Sequence, residues 1–146
     1  MEEIKKTIKE IFYFIDEDIR VDFSLREERV LLVDVKMKEP QILIGEKGQT
    51  LIETERLLKI IVRKKTKDAL FLNLDINDYK KRKADYLRDL ALDAADEVAM
   101  TGIEKKFPPM SSFERRIIHT ALITRDDVVT ESIGEDIERR VLIKRK

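Results

Sequence analysis

Apolar residues in the first stretch of the chain fall at Ile4, Ile8, Ile11, Phe12 and Ile15. That spacing keeps one face of a helix apolar and predicts an amphipathic helix. After Asp16-Glu17-Asp18 the period changes. Ile19, Val21, Phe23 and Leu25 alternate with Arg20, Asp22 and Ser24, the pattern of a half-buried strand. Arg26-Glu27-Glu28-Arg29 is a polar turn, and the Val- and Leu-rich residues 30–37 predict a second strand, paired with the first as a hairpin. Pro40 opens a short helix, of which Leu43 and Ile44 are expected to be the last buried residues. A longer helix is predicted over 49–65, starting with Leu51 and Ile52 as buried residues and carrying Leu51, Leu58, Ile61 and Val62 on one face. Residues 69–74 predict a third strand.

In the second half, Asn77 or Asp78 is placed to cap a helix over 79–101. Leu87, Leu90, Ala91, Ala94 and Val98 form its apolar stripe, and Gly102 closes it. Phe107-Pro108-Pro109-Met110 is a rigid connector. Ser111 and Glu114 have the spacing of a capping box. Phe113, Ile117 and Ala121 are expected to face inward from the helix it opens, with Ile118 and Leu122 beside them. Residues 128–132 and 137–144 predict two strands around a turn at Gly134-Glu135-Asp136. The whole reads as an α+β chain of two modules, residues 1–76 and 77–146.

Composition narrows the picture without deciding it. The chain has 146 residues, 42% of them apolar, enough for a core. Charged residues reach 41%, but Lys and Arg balance Asp and Glu to a formal net charge of zero. A basic surface must therefore come from arrangement, not excess. There is no cysteine, which removes disulfides, thiolate metal sites and thiol nucleophiles. The carboxylates are scattered without acid/base or metal-ligand spacing, and a single histidine is present. No catalytic site, metal or cofactor is expected. No apolar run approaches the roughly 18 residues of a membrane span, so a cytoplasmic protein without membrane insertion is expected.

Gly45-Glu46-Lys47-Gly48 stands between two predicted helices. Glycines there permit a sharp turn and a close backbone approach, and helix-start N–H groups can hold an anion. A Gly-x-x-Gly turn in this setting resembles the phosphate clamp of KH domains, which grips about four nucleotides of single strand. The order helix, strand, strand, helix, turn, helix, strand resembles the type II KH domain, a three-stranded sheet with helices on one face. That resemblance implies a phosphate held by the N–H groups of Gly48 and Gln49 with Lys47 adding charge beside Glu46. Bases would then lie on an apolar groove including Val35, Ile42, Ile44 and Ile52. Two basic runs carry two readings each. Arg63-Lys64-Lys65-Thr66-Lys67 is either a helix C-terminal cap or a nucleic-acid edge. Tyr79-Lys80-Lys81-Arg82-Lys83 is either a solvated first turn or a nucleic-acid contact.

Three stretches together resemble the bacterial Jag family, the SpoIIIJ-associated proteins also called KhpB. They are Ile44-Gly45-Glu46-Lys47-Gly48-Gln49-Thr50-Leu51, Asp78-Tyr79-Lys80-Lys81-Arg82-Lys83, and Pro109-Met110-Ser111-Ser112-Phe113-Glu114-Arg115-Arg116-Ile117-Ile118-His119. The last is similar to the signature of the R-three-H domain, an Arg and a His separated by three residues. The resemblance implies a type II KH domain over 1–76 and a small α+β R-three-H domain over 77–146. It implies a non-catalytic protein that binds single-stranded RNA, with single-stranded DNA as the related ligand, in post-transcriptional control of cell elongation and division. Arg115, His119, Arg116, Arg139 and Arg140 would face nucleic acid in the second domain, with His119 binding best when protonated. Family members often pair with a small single-KH protein, and a homodimer is the other arrangement. Many carry a further N-terminal domain and linker, which are not read in this sequence. The family turn usually has basic residues between its glycines, where this chain has Glu46. An adaptor that dimerises through the KH domain and binds nucleic acid weakly is the alternative expectation.

Overall fold

The computed structural model describes residues 1–67 and 69–146, including every side chain among them except that of Glu28. Two compact units divide between Lys80 and Lys81.

The first unit runs α1 (Glu2–Ile15), β1 (Arg20–Arg26), β2 (Val30–Lys36), α2 (Gln41–Ile44), α3 (Gln49–Lys65) and β3 (Phe71–Ile76). β1 and β2 pair antiparallel from Arg20 opposite Lys36 to Arg26 opposite Val30. β2 and β3 pair in parallel from Val30 opposite Phe71 to Val35 opposite Ile76. A parallel pair needs a crossover rather than a tight turn, and α2 and α3 supply it. Strand alternation sends Leu31, Val33 and Val35 to the core, where they meet Leu72 and Leu74 of β3 and the helical Ile8, Phe12 and Leu58. Each such fully buried side chain contributes roughly 1.5–3 kcal/mol by leaving water. On the opposite sheet face Asp22, Asp34 and Asp75 form one row across three strands. Burial, then the nearby Asp75, pushes the Asp34 carboxyl above its usual range.

Two expectations shift here. The third strand begins two residues later than predicted and extends to Ile76. Ile52 is 39% exposed, because the buried edge of α3 follows Leu51, Leu58 and Val62 and Ile52 sits about 100° round the helix.

The corner after β3 is tightly held. Asn77 and Asp78 both take positive φ, 49° and 57°, a region that Asn and Asp tolerate better than most residues. The Asn77 N–H donates to the Val35 carbonyl at 2.8 Å. Its side chain accepts from the Met37 N–H at 2.9 Å and donates to the Met37 carbonyl at 2.8 Å. Asp78 pairs with Lys36 at 2.5 Å. The first-turn N–H of Lys80 donates to Asp75 at 2.9 Å, so a residue upstream of both expected caps takes part in holding the start of α4 (Tyr79–Thr101).

In the second unit α4 buries Leu87, Ala91, Ala94, Ala95 and Val98. Gly102 follows with φ 71°, and its N–H donates to the Val98 carbonyl at 2.8 Å. Then come β4 (Lys105–Lys106), α5 (Ser112–Leu122), β5 (Val128–Ile133) and β6 (Arg140–Arg145), with sheet order β4-β6-β5. The capping box is complete. The Glu114 N–H donates to the Ser111 hydroxyl at 3.2 Å, and the Ser111 N–H to the Glu114 carboxylate at 2.9 Å. The inward face of α5 is rotated from expectation. Ile118 and Leu122 are buried, while Phe113 is 48% exposed. Ile137 was expected in a strand but lies, exposed, in a 3-10 turn over Asp136–Glu138.

Candidate nucleic-acid interface

Both ends of the Gly-x-x-Gly turn of the first unit favour glycine. Gly45 has φ 72° and ψ −175°, a region essentially closed to side chains. A Cβ there would lie 2.1 Å from the Thr50 hydroxyl. Gly48 has φ 78° and ψ 13°, and a Cβ there would lie 2.8 Å from the ring of Tyr79. Lys47 is itself left-handed at φ 53°. Glu46, Lys47 and Gln49 are exposed, whereas Gly48 is buried.

Both backbone donors expected to face a phosphate are already used. The Gly48 N–H donates to the Gly45 carbonyl at 3.4 Å, and the Gln49 N–H donates to the Glu46 carbonyl. The Gln49 side chain donates to Glu53 at 3.1 Å. The N–H groups of Glu46 and Lys47, first in the turn, precede its ladder. The expected apolar groove also changes. Ile44 and Val35 are 2% and 1% exposed and belong to the core, since each points inward with its element's buried face. Ile42 and Ile52 are exposed on the helices either side of the turn.

The run from Tyr79 to Lys83 resolves into separate structural tasks. Tyr79 lies against Gly48 and packs on the core. Lys80 forms a short ion pair with Glu55 and donates to Asn73 at 2.9 Å. Glu55 also accepts from Lys59 at 2.6 Å and from the Leu74 N–H at 3.0 Å. Burial alone would push the Glu55 carboxyl up, but the bonds from Lys59, Lys80 and Leu74 outweigh it and hold it below the usual range. Lys83 pairs with Glu114 at 3.5 Å, and Lys81 is exposed. In the earlier basic run, Lys65 pairs with Glu3 at 3.1 Å.

In the second unit the Arg115–His119 spacing puts both on one face of α5, as expected. The His119 ring is fixed from both sides by β5, with Nδ1 2.6 Å from the Thr130 hydroxyl and Nε2 2.9 Å from that of Ser132. Thr130 and Ser132 are two apart in a strand and so share a face. Sequence reasoning missed them, although the alternation in Val129-Thr130-Glu131-Ser132 carried the signal. Burial, and then the Arg115 charge, holds the imidazole below its usual range. The protonated form, expected to bind best, is therefore disfavoured. Arg115 donates to the Met110 carbonyl at 2.8 Å, and the Met110 N–H donates to the Arg139 carbonyl at 3.1 Å. Met110 thus ties Arg115 to Arg139, whose side chain donates to the Gly134 carbonyl at 3.0 Å. Arg140 is not gathered with them. It pairs with Glu138 at 2.9 Å and stands opposite Ile133, so alternation turns it to the sheet face away from Thr130 and Ser132. Arg116 is exposed on α5.

Residues 85–145 match the family model of the R-three-H domain. The chain is 37% identical over 129 residues to the RNA-binding protein KhpB of Clostridium symbiosum, covering 88% of this chain and 58% of that one. Over most of its length the chain is similar to proteins of the Jag/KhpB family. The RNA-binding protein KhpB of Bacillus subtilis is 32% identical over 128 residues, covering 86% of this chain and 62% of its own length. That of Lactiplantibacillus plantarum is 32% identical over 126 residues, 86% of this chain and 38% of its own. The chain thus spans between 38% and 62% of these KhpB relatives. Among the described residues no His, Asp and Glu group is arranged to hold a metal ion, and no helix is long and apolar enough to cross a membrane.

Proposed function

We propose that this chain binds single-stranded RNA without catalysing a reaction, through a KH domain over 1–76 and an R-three-H domain over 77–146. The observation that carries the reading is the Gly45–Gly48 turn, held at positive φ at three of its four residues with Lys47 exposed at its tip. A phosphate meets the Glu46 and Lys47 N–H groups and the Lys47 ammonium, and bases lie against Ile42 and Ile52. In the second domain Arg115 and Arg116 offer guanidinium donors suited to phosphate, and the neutral His119 shapes the site with Thr130 and Ser132. Affinity comes mainly from phosphates and preference from bases. The relatives are named as RNA-binding proteins, which supports the ligand class. The setting is the cytoplasm, and the role is post-transcriptional control tied to cell elongation and division.

The test is fluorescence anisotropy of a labelled single-stranded RNA pool at two salt concentrations, with wild type, Lys47→Ala and Arg115→Ala. Wild type is expected to bind and to weaken with salt, and each variant to lose affinity. Absence of salt-dependent binding would sink the reading. It would favour the adaptor alternative, which one observation supports. Leu57 and Ile60 are 53% and 48% exposed, one turn apart on α3, an apolar stripe suited to a second copy or a small KH partner.

A further inference from the structure

We propose that Tyr79 is a positioning residue for the RNA-binding turn, forming the floor on which Gly48 rests. The inference deepens the reading of the Gly45–Gly48 turn as a phosphate site and rests on it. Tyr79 lies 31 positions beyond Gly48 in the chain, yet its ring edge is close enough to meet any Cβ at Gly48 at 2.8 Å, and its hydroxyl at 3.1 Å. The contact explains why Gly48 is buried while Glu46, Lys47 and Gln49 beside it are exposed.

The ring is held rigidly. Asn77 and Asp78 turn the chain through two consecutive left-handed residues. Asn77 is fastened to Val35 and Met37 by three hydrogen bonds, Asp78 to Lys36, and the Lys80 N–H to Asp75. Strained backbone persists only where its surroundings over-determine it, and here the surroundings fix where Tyr79 lands. The turn needs such support. Its internal N–H to carbonyl bond at Gly48 is long, 3.4 Å, and its tip residue Lys47 occupies a disfavoured region. A turn free to leave this shape would have to be re-ordered on binding, which lowers affinity; a turn held in shape beforehand avoids that loss.

The test uses the full chain and a labelled single-stranded RNA pool, with Lys47→Ala, Tyr79→Leu and Tyr79→Phe. Tyr79→Leu keeps apolar bulk but not the flat ring, and is expected to weaken binding about fivefold or more with the fold retained by circular dichroism. Tyr79→Phe is expected to bind within about twofold of wild type, because the ring is what Gly48 rests on. Amide resonances of Gly45 and Gly48 should move in Tyr79→Leu and stay in Tyr79→Phe. Lys47→Ala separates the two ideas. If it weakens binding while Tyr79→Leu does not, the floor is wrong and the turn still binds RNA. If it leaves binding unchanged, the turn reading fails and the floor proposal falls with it. Should Tyr79→Leu not fold, an RNA titration of wild type followed by NMR decides. The Tyr79 ring and Gly48 amide should shift together, and a Gly48 response with a silent Tyr79 would overturn the proposal.

Discussion

His119 Nδ1 and the Thr130 hydroxyl are 2.6 Å apart, and with Ser132 on the far side of the ring they hold the imidazole across α5 and β5. Its depressed pKa arises from burial and Arg115, so the folded state resists protonation more than the unfolded chain does. Stability from this group is complete above the ordinary imidazole pKa of about 6.5 and is lost as pH falls through the lower folded value. Thermal melts of wild type and His119→Gln should differ most at neutral pH and converge in acid. Divergence in acid would contradict the assignment.

The two glycines of the turn should not tolerate alanine equally. Gly45 lies in the region reserved for glycine and directly under Thr50, whereas Gly48 is in the ordinary left-handed well. Left-handed backbone costs a non-glycine residue roughly 1–2 kcal/mol. Gly48→Ala should lose at least about that much by chemical denaturation, and Gly45→Ala should lose more. Equal losses would mean that Thr50 yields easily.

Glu55 joins Lys80, Lys59 and the Leu74 N–H. Removing it strands a half-buried ammonium and a strand N–H together. Glu55→Ala should lower stability by about 2–3 kcal/mol, and Glu55→Gln, which can still accept, by less. Urea unfolding would check both.

Within the row of Asp22, Asp34 and Asp75, the charge of Asp34 works against the first unit at neutral pH. The Asp34 carboxyl is raised by burial and then by Asp75, so its protonation favours the folded state. Stability from it is complete below the ordinary Asp pKa of about 3.9 and fades as pH rises through the folded value. Asp34→Asn should raise the melting temperature at pH 7 and give no gain at pH 3. A loss at pH 7 would show that the carboxylate has an essential partner.

What the sequence made legible is local. Helix 49–65, the Ser111–Glu114 box and the Gly102 stop each follow from residues within one or two turns of each other. The face of α5 was harder, because Phe113-Ile117-Ala121 and Ile118-Leu122 are both apolar stripes about 100° apart. Only the sheet beneath chooses between them. Spacing alone reads Ile44 as buried, which it is, whereas the KH resemblance places Ile44 and Val35 in a groove; that resemblance does not tell inward from outward at each position. The partners of His119 and the place of Tyr79 depend on residues 11 or more positions away, which periodicity does not register.

The parallel pairing of β2 with β3 has a consequence for the order of folding. The β1–β2 hairpin needs only its own short connection, but Phe71 cannot reach Val30 until the α2–α3 crossover is in place. Such non-local pairings are slow to close. The Gly45–Gly48 turn lies within that crossover, so it matures with the last strand to dock. A chain ending before Ile76 would carry the turn's sequence without the strand that closes its unit, which makes the turn's shape a property of the whole unit.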